Sequence, residues 1–307
     1  MKIVTLKALI LYGLAALLWG MSPIGIAKTF VLPSQGDIVG HVAVVEARAG
    51  ERLGDIGMRT GTGYYAMQAA NPSINPYQHL SGGTRVVIPG QFILPPGPRQ
   101  GIVINLAEFR LYYYPPGQNI VVTEPIGIGR EGVWGTPVGV TKVVDKEKDP
   151  AWRPTENVRA EAARQGTPIP DYFPPGPDNP LGNYAIRLGW PAYLIHGTNR
   201  PDFIGTRISA GCIRLMPEAI EGLYPLVPIG TTVRIMNQPF KAGWSKGRLY
   251  LEAHLPLDEE QHQYKVSLAG VVNVVSQQTQ RRPVVVNWTQ VRNVAQQTTG
   301  IPQIIGG

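Results

Sequence analysis

Tyr193-Leu194-Ile195-His196-Gly197-Thr198, followed by Ser209-Ala210-Gly211-Cys212-Ile213-Arg214-Leu215, is the part of the chain from which fold and chemistry are both read. An apolar run that ends in a histidine presents its imidazole at the end of a strand, and Gly211 frees the backbone just before the thiol, sixteen residues after His196. A cysteine attacks as its thiolate and needs a neighbouring base or positive charge. His196, with an ordinary pKa close to working pH, is the candidate base for Cys212. The backbone N–H groups of Gly211 and Cys212 can serve a developing oxyanion if the turn aims them into a pocket. No acidic residue adjoins the motif, so a backbone carbonyl, that of Gly197, is the expected holder of the imidazole.

Cys212 is the only cysteine, which rules out an internal disulfide and leaves two readings, an inert buried thiol or a nucleophile. A zinc site on His196 and Cys212 is a poorer reading, because two candidates lack the three or four clustered ligands that zinc takes, and no metal is expected.

Around this motif the chain carries 36 Gly and 29 Pro in 307 residues and only 16% charged residues, a balance that favours turns and short strands over long amphipathic helices. The expected class is mostly β. Net charge is +7 without a basic run, so nucleic acid is not an expected partner, while an anionic cell envelope is compatible. Lys2 and Lys7 precede an apolar run over 8–19, and the small residues Gly25 and Ala27 follow. That layout predicts a signal peptide over 1–27, cleaved after Ala27, and export to the periplasm. The apolar run is shorter than the ~20 residues a membrane-spanning helix needs.

Residues 30–40 read as a Pro/Gly-containing spacer. Over 41–89 the pattern predicts a strand at 42–45, a helix with Leu53 and Ile56 on one face, a second with Tyr64, Met67 and Ala70 on one face, and a strand at 85–88. Leu94-Pro95-Pro96-Gly97-Pro98 is a stiff linker. Behind it come strand-like runs at 101–105, 110–114, 119–123, 138–144 and 184–188. A Pro-rich stretch over 146–182 holds at most one short helix around 155–165, and helical spacing returns only at 217–226. A C-terminal extension over 238–307 is expected to contribute strands at 248–254 and 264–268, and its Gln-rich tail from Gln277 is expected to leave its last part disordered.

The unit at 41–89 resembles the LysM module through Ala49-Gly50-Glu51-Arg52-Leu53, Ala69-Ala70-Asn71-Pro72 and Gly83-Thr84-Arg85-Val86-Val87-Ile88-Pro89, which implies binding to N-acetylglucosamine-containing glycan, peptidoglycan above all. The bland alternative is a βααβ spacer without ligand. The His-Gly-Thr and Ser-x-Gly-Cys-Ile-Arg-Leu motifs resemble those of the L,D-transpeptidase (YkuD) catalytic domain, with 99–237 as the matching region. Ile126-Gly127-Ile128-Gly129-Arg130 and Thr136-Pro137-Val138-Gly139 add to the likeness. Together with the LysM-like unit, the order is similar to that of periplasmic enzymes that attach an outer-membrane lipoprotein to peptidoglycan.

The resemblance implies that Cys212 forms a thioester with the tetrapeptide stem, releasing D-alanine, and passes the acyl group to an amine. That amine is a lipoprotein Lys or a second stem, which gives a 3–3 cross-link. No cofactor is implied. Arg214 is the candidate for a stem carboxylate, a surface or structural arginine being the alternative. Ala210 stands where many members have His, so that second imidazole's role is not carried over, but some members with the lipoprotein-attaching architecture have a small residue there. A hydrolase using the same Cys212, and a peptidoglycan-binding protein without catalysis, remain as alternatives.

Overall fold

The computed structural model describes residues 28–261 and 268–307. Its centre is a nine-stranded sheet in the order Lys28–Val31, Ile120–Pro125, Arg110–Tyr114, Gly101–Asn105, Thr232–Met236, Gly139–Lys148, Tyr184–Leu188, Leu194–His196 and Ile213–Arg214. Neighbours are antiparallel except at two places, where Thr232–Met236 runs parallel to Gly101–Asn105 and Ile213–Arg214 runs parallel to Leu194–His196.

Side chains alternate between the faces of a strand, so continuous apolar runs such as Ile102-Val103-Ile104 and Leu111-Tyr112-Tyr113-Tyr114 demand cover on both sides. The sheet has it. Ile102, Ile104, Leu111 and Tyr113 join the larger core with Ile195, Ile213 and the helix Pro217–Leu223, whereas Val103, Tyr112 and Tyr114 pack on the opposite face with Val39, Phe92 and Leu94. The molecule is mostly β, as the Gly- and Pro-rich composition indicates.

Residues 43–88 form strand Ala43–Glu46, helices Leu53–Thr60 and Tyr64–Ala70, and strand Arg85–Ile88, the two strands pairing antiparallel around Leu53, Ile56, Met67 and Val86. This unit is tied to the main domain by backbone. Tyr64 and Tyr65 N–H donate to the carbonyls of Ile204 and Gly205 at 3.0 and 3.3 Å.

Two expectations need correction. Residues 30–40 are not a spacer: Lys28–Val31 forms the edge of the main sheet against Ile120–Pro125, and Ile38–Gly40 pairs with Gln91–Ile93. The short apolar pieces Phe30-Val31 and Ile38-Val39 are too brief to stand out before their partners are known. The C-terminal tail is ordered, with helices Ala269–Arg281 and Trp288–Gln297 and a strand Gln303–Gly306 that completes a three-stranded sheet with Phe240–Ser245 and Arg248–Ala253. Its glutamines lie among valines at helical spacing, and Val271, Val275, Val291 and Val294 are buried with Leu249, Leu251 and Ile305. The strand expected at 264–268 falls on residues of which 264–267 lie outside the described ones, and Leu268 is not in a strand; the signal peptide at 1–27 also lies outside them.

Over 146–182 the chain forms the helix Glu156–Arg164, capped by the Thr155 hydroxyl accepting from Val158 N–H, and a bridge between Trp152 and Phe173. Asn179, 1% exposed, clamps the base of this excursion. Its Nδ2 donates to the carbonyls of Pro150 and Pro174, and its Oδ1 accepts from Leu181 N–H.

Candidate active site

His196 and Cys212 are brought to one edge of the sheet by the parallel pairing of Leu194–His196 with Ile213–Arg214, in which Ile195 faces Ile213 and His196 faces Arg214. Residues in register project to the same face and alternate along the strand. Ile195 and Ile213 therefore enter the core, while His196, Arg214 and, two residues back, Cys212 share the other side. Sixteen residues of intervening chain are the return path a parallel pair requires.

His196 is 3% exposed. Its Nδ1 lies 2.7 Å from the carbonyl of Gly197, the carbonyl anticipated for that role. With the Nδ1 proton donated there, Nε2 carries the lone pair. Burial, and then the charge of Arg214, push the imidazole pKa down to about 3, against the weaker opposing pull of the Gly197 and Leu181 backbone. At neutral pH the ring is an unprotonated base. The same burial raises the Cys212 thiol above its usual value, and Leu194 N–H, Arg214 and Arg187 only partly offset it. The half-buried thiol donates to the carbonyl of Ala192 at 3.4 Å. At rest, then, thiol and imidazole are both neutral, with the thiol turned to the Ala192 carbonyl, and no thiolate and imidazolium are preformed.

The turn before the nucleophile is built by side chains. Gly211 has φ +108°, and a Cβ there would stand 2.7 Å from Cε1 of Tyr193. Ser209 Oγ donates to the Cys212 carbonyl at 2.6 Å and accepts from Gly211 N–H at 3.1 Å. Gly211 N–H is therefore engaged inside the turn instead of facing a pocket, unlike the expectation that paired it with Cys212 N–H for an oxyanion. Thr136 Oγ1 donates to the Gly211 carbonyl and accepts from Gly129 N–H, both at 2.9 Å, which fixes the turn to the strand Ile128–Gly129. Ser209 and Thr136 were within the quoted motifs, but nothing in their spacing gave them a role.

Arg214 is held by its backbone, which exchanges two 2.9 Å hydrogen bonds with Gly127. Among the described residues its Nε has no hydrogen-bond partner and no carboxylate pairs with it. Burial, with Arg130 and Arg200 nearby, lowers its pKa. The edge around Cys212 is consequently positive.

Neither His196 nor Cys212 belongs to a cluster of three metal-ligating side chains among the described residues. The cluster that does exist, Glu108, Glu252 and His254, is already served by a cation, since Lys241 Nζ lies 2.8 Å from Glu108 Oε2 and 2.8 Å from Glu252 Oε1.

Comparison with known proteins agrees with this geometry. Residues 99–235 match the family model described as the L,D-transpeptidase catalytic domain, YkuD. The chain is 45% identical over 241 residues to Probable L,D-transpeptidase YcfS of Escherichia coli (strain K12), covering 76% of this chain and 75% of that protein. It is 42% identical to Probable L,D-transpeptidase ErfK/SrfK of the same strain, covering 78% of each, and 40% identical to its Probable L,D-transpeptidase YbiS, covering 85% and 86%. With a lone thiol in the turn before one strand and a buried neutral imidazole at the end of the adjacent strand, both inside the matched region, and such similarity over three quarters of the chain, this protein belongs to the L,D-transpeptidase (YkuD) family.

Proposed function

We propose that Cys212 and His196 carry out L,D-transpeptidation on peptidoglycan through a thioester. His196 Nε2 takes the thiol proton as sulfur attacks the carbonyl carbon of the amide between diaminopimelate and the terminal D-alanine of a tetrapeptide stem. The tetrahedral oxyanion is met by Cys212 N–H, Gly211 N–H being committed to Ser209. On collapse the C–N bond breaks, the His196 proton goes to the departing amine, and D-alanine leaves. An acceptor amine then attacks the thioester and gives its proton to His196, the C–S bond breaks, and the thiol is restored. The energy of the cleaved amide is kept in the thioester, so no nucleotide is consumed.

The observation that carries this reading is the buried, unprotonated His196 on the face it shares with Cys212, its Nδ1 held by Gly197. Arg214, unpaired with any described carboxylate, suits a carboxylate of the anionic stem. The unit at 41–89 is read as a LysM-like glycan-binding module, 1–27 as the signal for export to the periplasm, and the acceptor as a Lys of an outer-membrane lipoprotein or the diaminopimelate of a second stem.

The test is incubation of the purified protein with disaccharide-tetrapeptide, with and without an amine acceptor, followed by mass spectrometry. Wild type should release D-alanine, form an acyl-enzyme and yield the amine adduct, and Cys212→Ala should do none of these. Absence of both D-alanine and acyl-enzyme would overturn the catalytic reading, whereas D-alanine release to water alone would make the protein a hydrolase.

A further inference from the structure

Away from Cys212 lies a cavity of about 440 Å³ with walls from all three parts of the chain. Helix Tyr64–Ala70 contributes Tyr65, the main domain Phe92, Phe109, Arg110 and Arg207, and the C-terminal extension His254 and the 298–300 turn. Tyr65 and Phe109 meet edge to face at 5.2 Å. Arg110 stacks over Phe92 at 3.9 Å. It is 2% exposed, yet its Nε has no hydrogen-bond partner among the described residues, and the Glu108 oxygen it faces lies at 3.7 Å. Nε is itself buried, so Arg110 serves as a packed inner wall of the cavity and is not a donor open to a ligand.

The charges around the cavity are otherwise matched. Glu108 is paired with Lys241, and Arg207 with Glu259 at 2.6 Å. The exposed ring of Tyr65, with Phe109 at its edge, beside compensated polar groups suits a ligand with apolar ring faces and many hydroxyl or amide oxygens, and it disfavours a strongly charged one. The size lies within the range of small-ligand sites.

We propose that this cavity is a saccharide-binding site that holds the N-acetylhexosamine backbone of a glycan strand while the attached stem peptide reaches Cys212; the inference rests on the peptidoglycan reading above. Reach supports it. Arg207 precedes Cys212 by five residues, so their Cα atoms are at most about 17 Å apart. From the sugar link to the carbonyl that Cys212 attacks, an extended stem spans three residues, about 10 Å, before the link itself is added. Arg207 also bonds the Gly129 and Arg130 carbonyls, on the strand that Thr136 fastens to the nucleophile turn, so a ligand against Arg207 touches the framework of the active site.

Calorimetric titration of the full protein with an uncharged tetramer of N-acetylglucosamine tests the site, in wild type and in Tyr65→Ala and Ala66→Trp. Both substitutions alter the cavity wall without touching Cys212 or His196. Wild type should bind, and each variant should bind at least tenfold more weakly. With disaccharide-tetrapeptide each should show a KM raised by a similar factor at unchanged kcat, and alkylation of Cys212 by iodoacetamide should keep its rate. Should Ala66→Trp not fold, Tyr65→Ala, at an exposed helix position, decides alone. No binding by wild type, or equal binding by the variants, overturns the site, including the case in which the glycan binds elsewhere on the 43–88 unit. Normal D-alanine release with that result leaves the catalytic proposal standing; glycan binding at the cavity with no D-alanine release removes the catalytic proposal instead.

Discussion

At the scale of single residues, the neutral His196 ties chemistry to stability. Its folded pKa of about 3 lies below the ordinary imidazole value, so as pH falls through 6.5 the unfolded chain takes up a proton that the folded chain refuses. The group therefore costs stability progressively between pH 6.5 and 3, by about 1.4 kcal/mol for each pH unit once the unfolded side chain is protonated. Denaturant midpoints measured from pH 7 down to pH 4 should decline in wild type and decline less in His196→Gln, which lacks the titrating ring; parallel curves would show that His196 is not held neutral. Ser209 is the second residue-scale case. Ser209→Ala removes the bonds to Cys212 carbonyl and Gly211 N–H, should lower stability by about 1–3 kcal/mol, and should slow acyl-enzyme formation seen by mass spectrometry. The sequence made His196, Gly197 and Cys212 legible as candidates because the roles proposed for them follow from residue type and spacing. It left Ser209, Thr136 and Asn179 unread, because a hydroxyl or amide acquires its task only from the carbonyls that folding brings to it.

At the scale of elements, the turn 209–212 acts as a rigid fitting between two strands. Gly211 combines φ +108° with a Tyr193 ring 2.7 Å from where a Cβ would stand. Gly211→Ala should therefore distort the turn at a cost of about 1–3 kcal/mol and reduce the acylation rate by roughly 10–100-fold, measured under single-turnover conditions. The rate unchanged within twofold would mean that the turn adapts freely. Elements whose pattern is periodic, such as Leu53–Thr60 and Arg110–Tyr114, were readable before any partner was known. Lys28–Val31 and Ile38–Gly40 were not, since a strand of three or four residues has too few alternations to register and gains its identity from the ladder it joins. In the tail, a high glutamine content masked valines spaced for burial. Composition reported the exposed faces of the helices and hid the faces that hold them.

At the scale of the whole molecule, the C-terminal extension is joined to the main domain by a buried charge cluster. Lys241 Nζ, in a side chain 1% exposed, bonds Glu108, Glu252 and the Ile93 carbonyl, while Tyr112 OH donates to Glu108 and Glu252 accepts from Ile93 N–H. Lys241→Met would leave two buried carboxylates without their shared cation and should destabilise the protein by about 3–5 kcal/mol, read from denaturant unfolding. A double variant, Lys241→Met with Glu252→Gln, should recover part of the loss. The junction with the 43–88 unit is a matter of backbone contact. A Cβ on Gly205 would lie 2.3 Å from Tyr64 N, so Gly205→Ala should loosen that unit, with faster proteolysis between residues 60 and 64 while the main-sheet amides keep their protection from hydrogen exchange.

The mostly β class was legible in the sequence alone, as were a compact βααβ unit and a candidate nucleophile with a candidate base, because these depend on residue type, local periodicity and short spacing along the chain. Folding was needed to make the resting Cys212 and His196 both neutral, to spend Gly211 N–H within its turn, to order the tail, and to close three units around one cavity. Each of those depends on burial and on contacts between residues far apart in sequence. The cavity alone joins Tyr65, Arg110 and His254, which no local pattern relates.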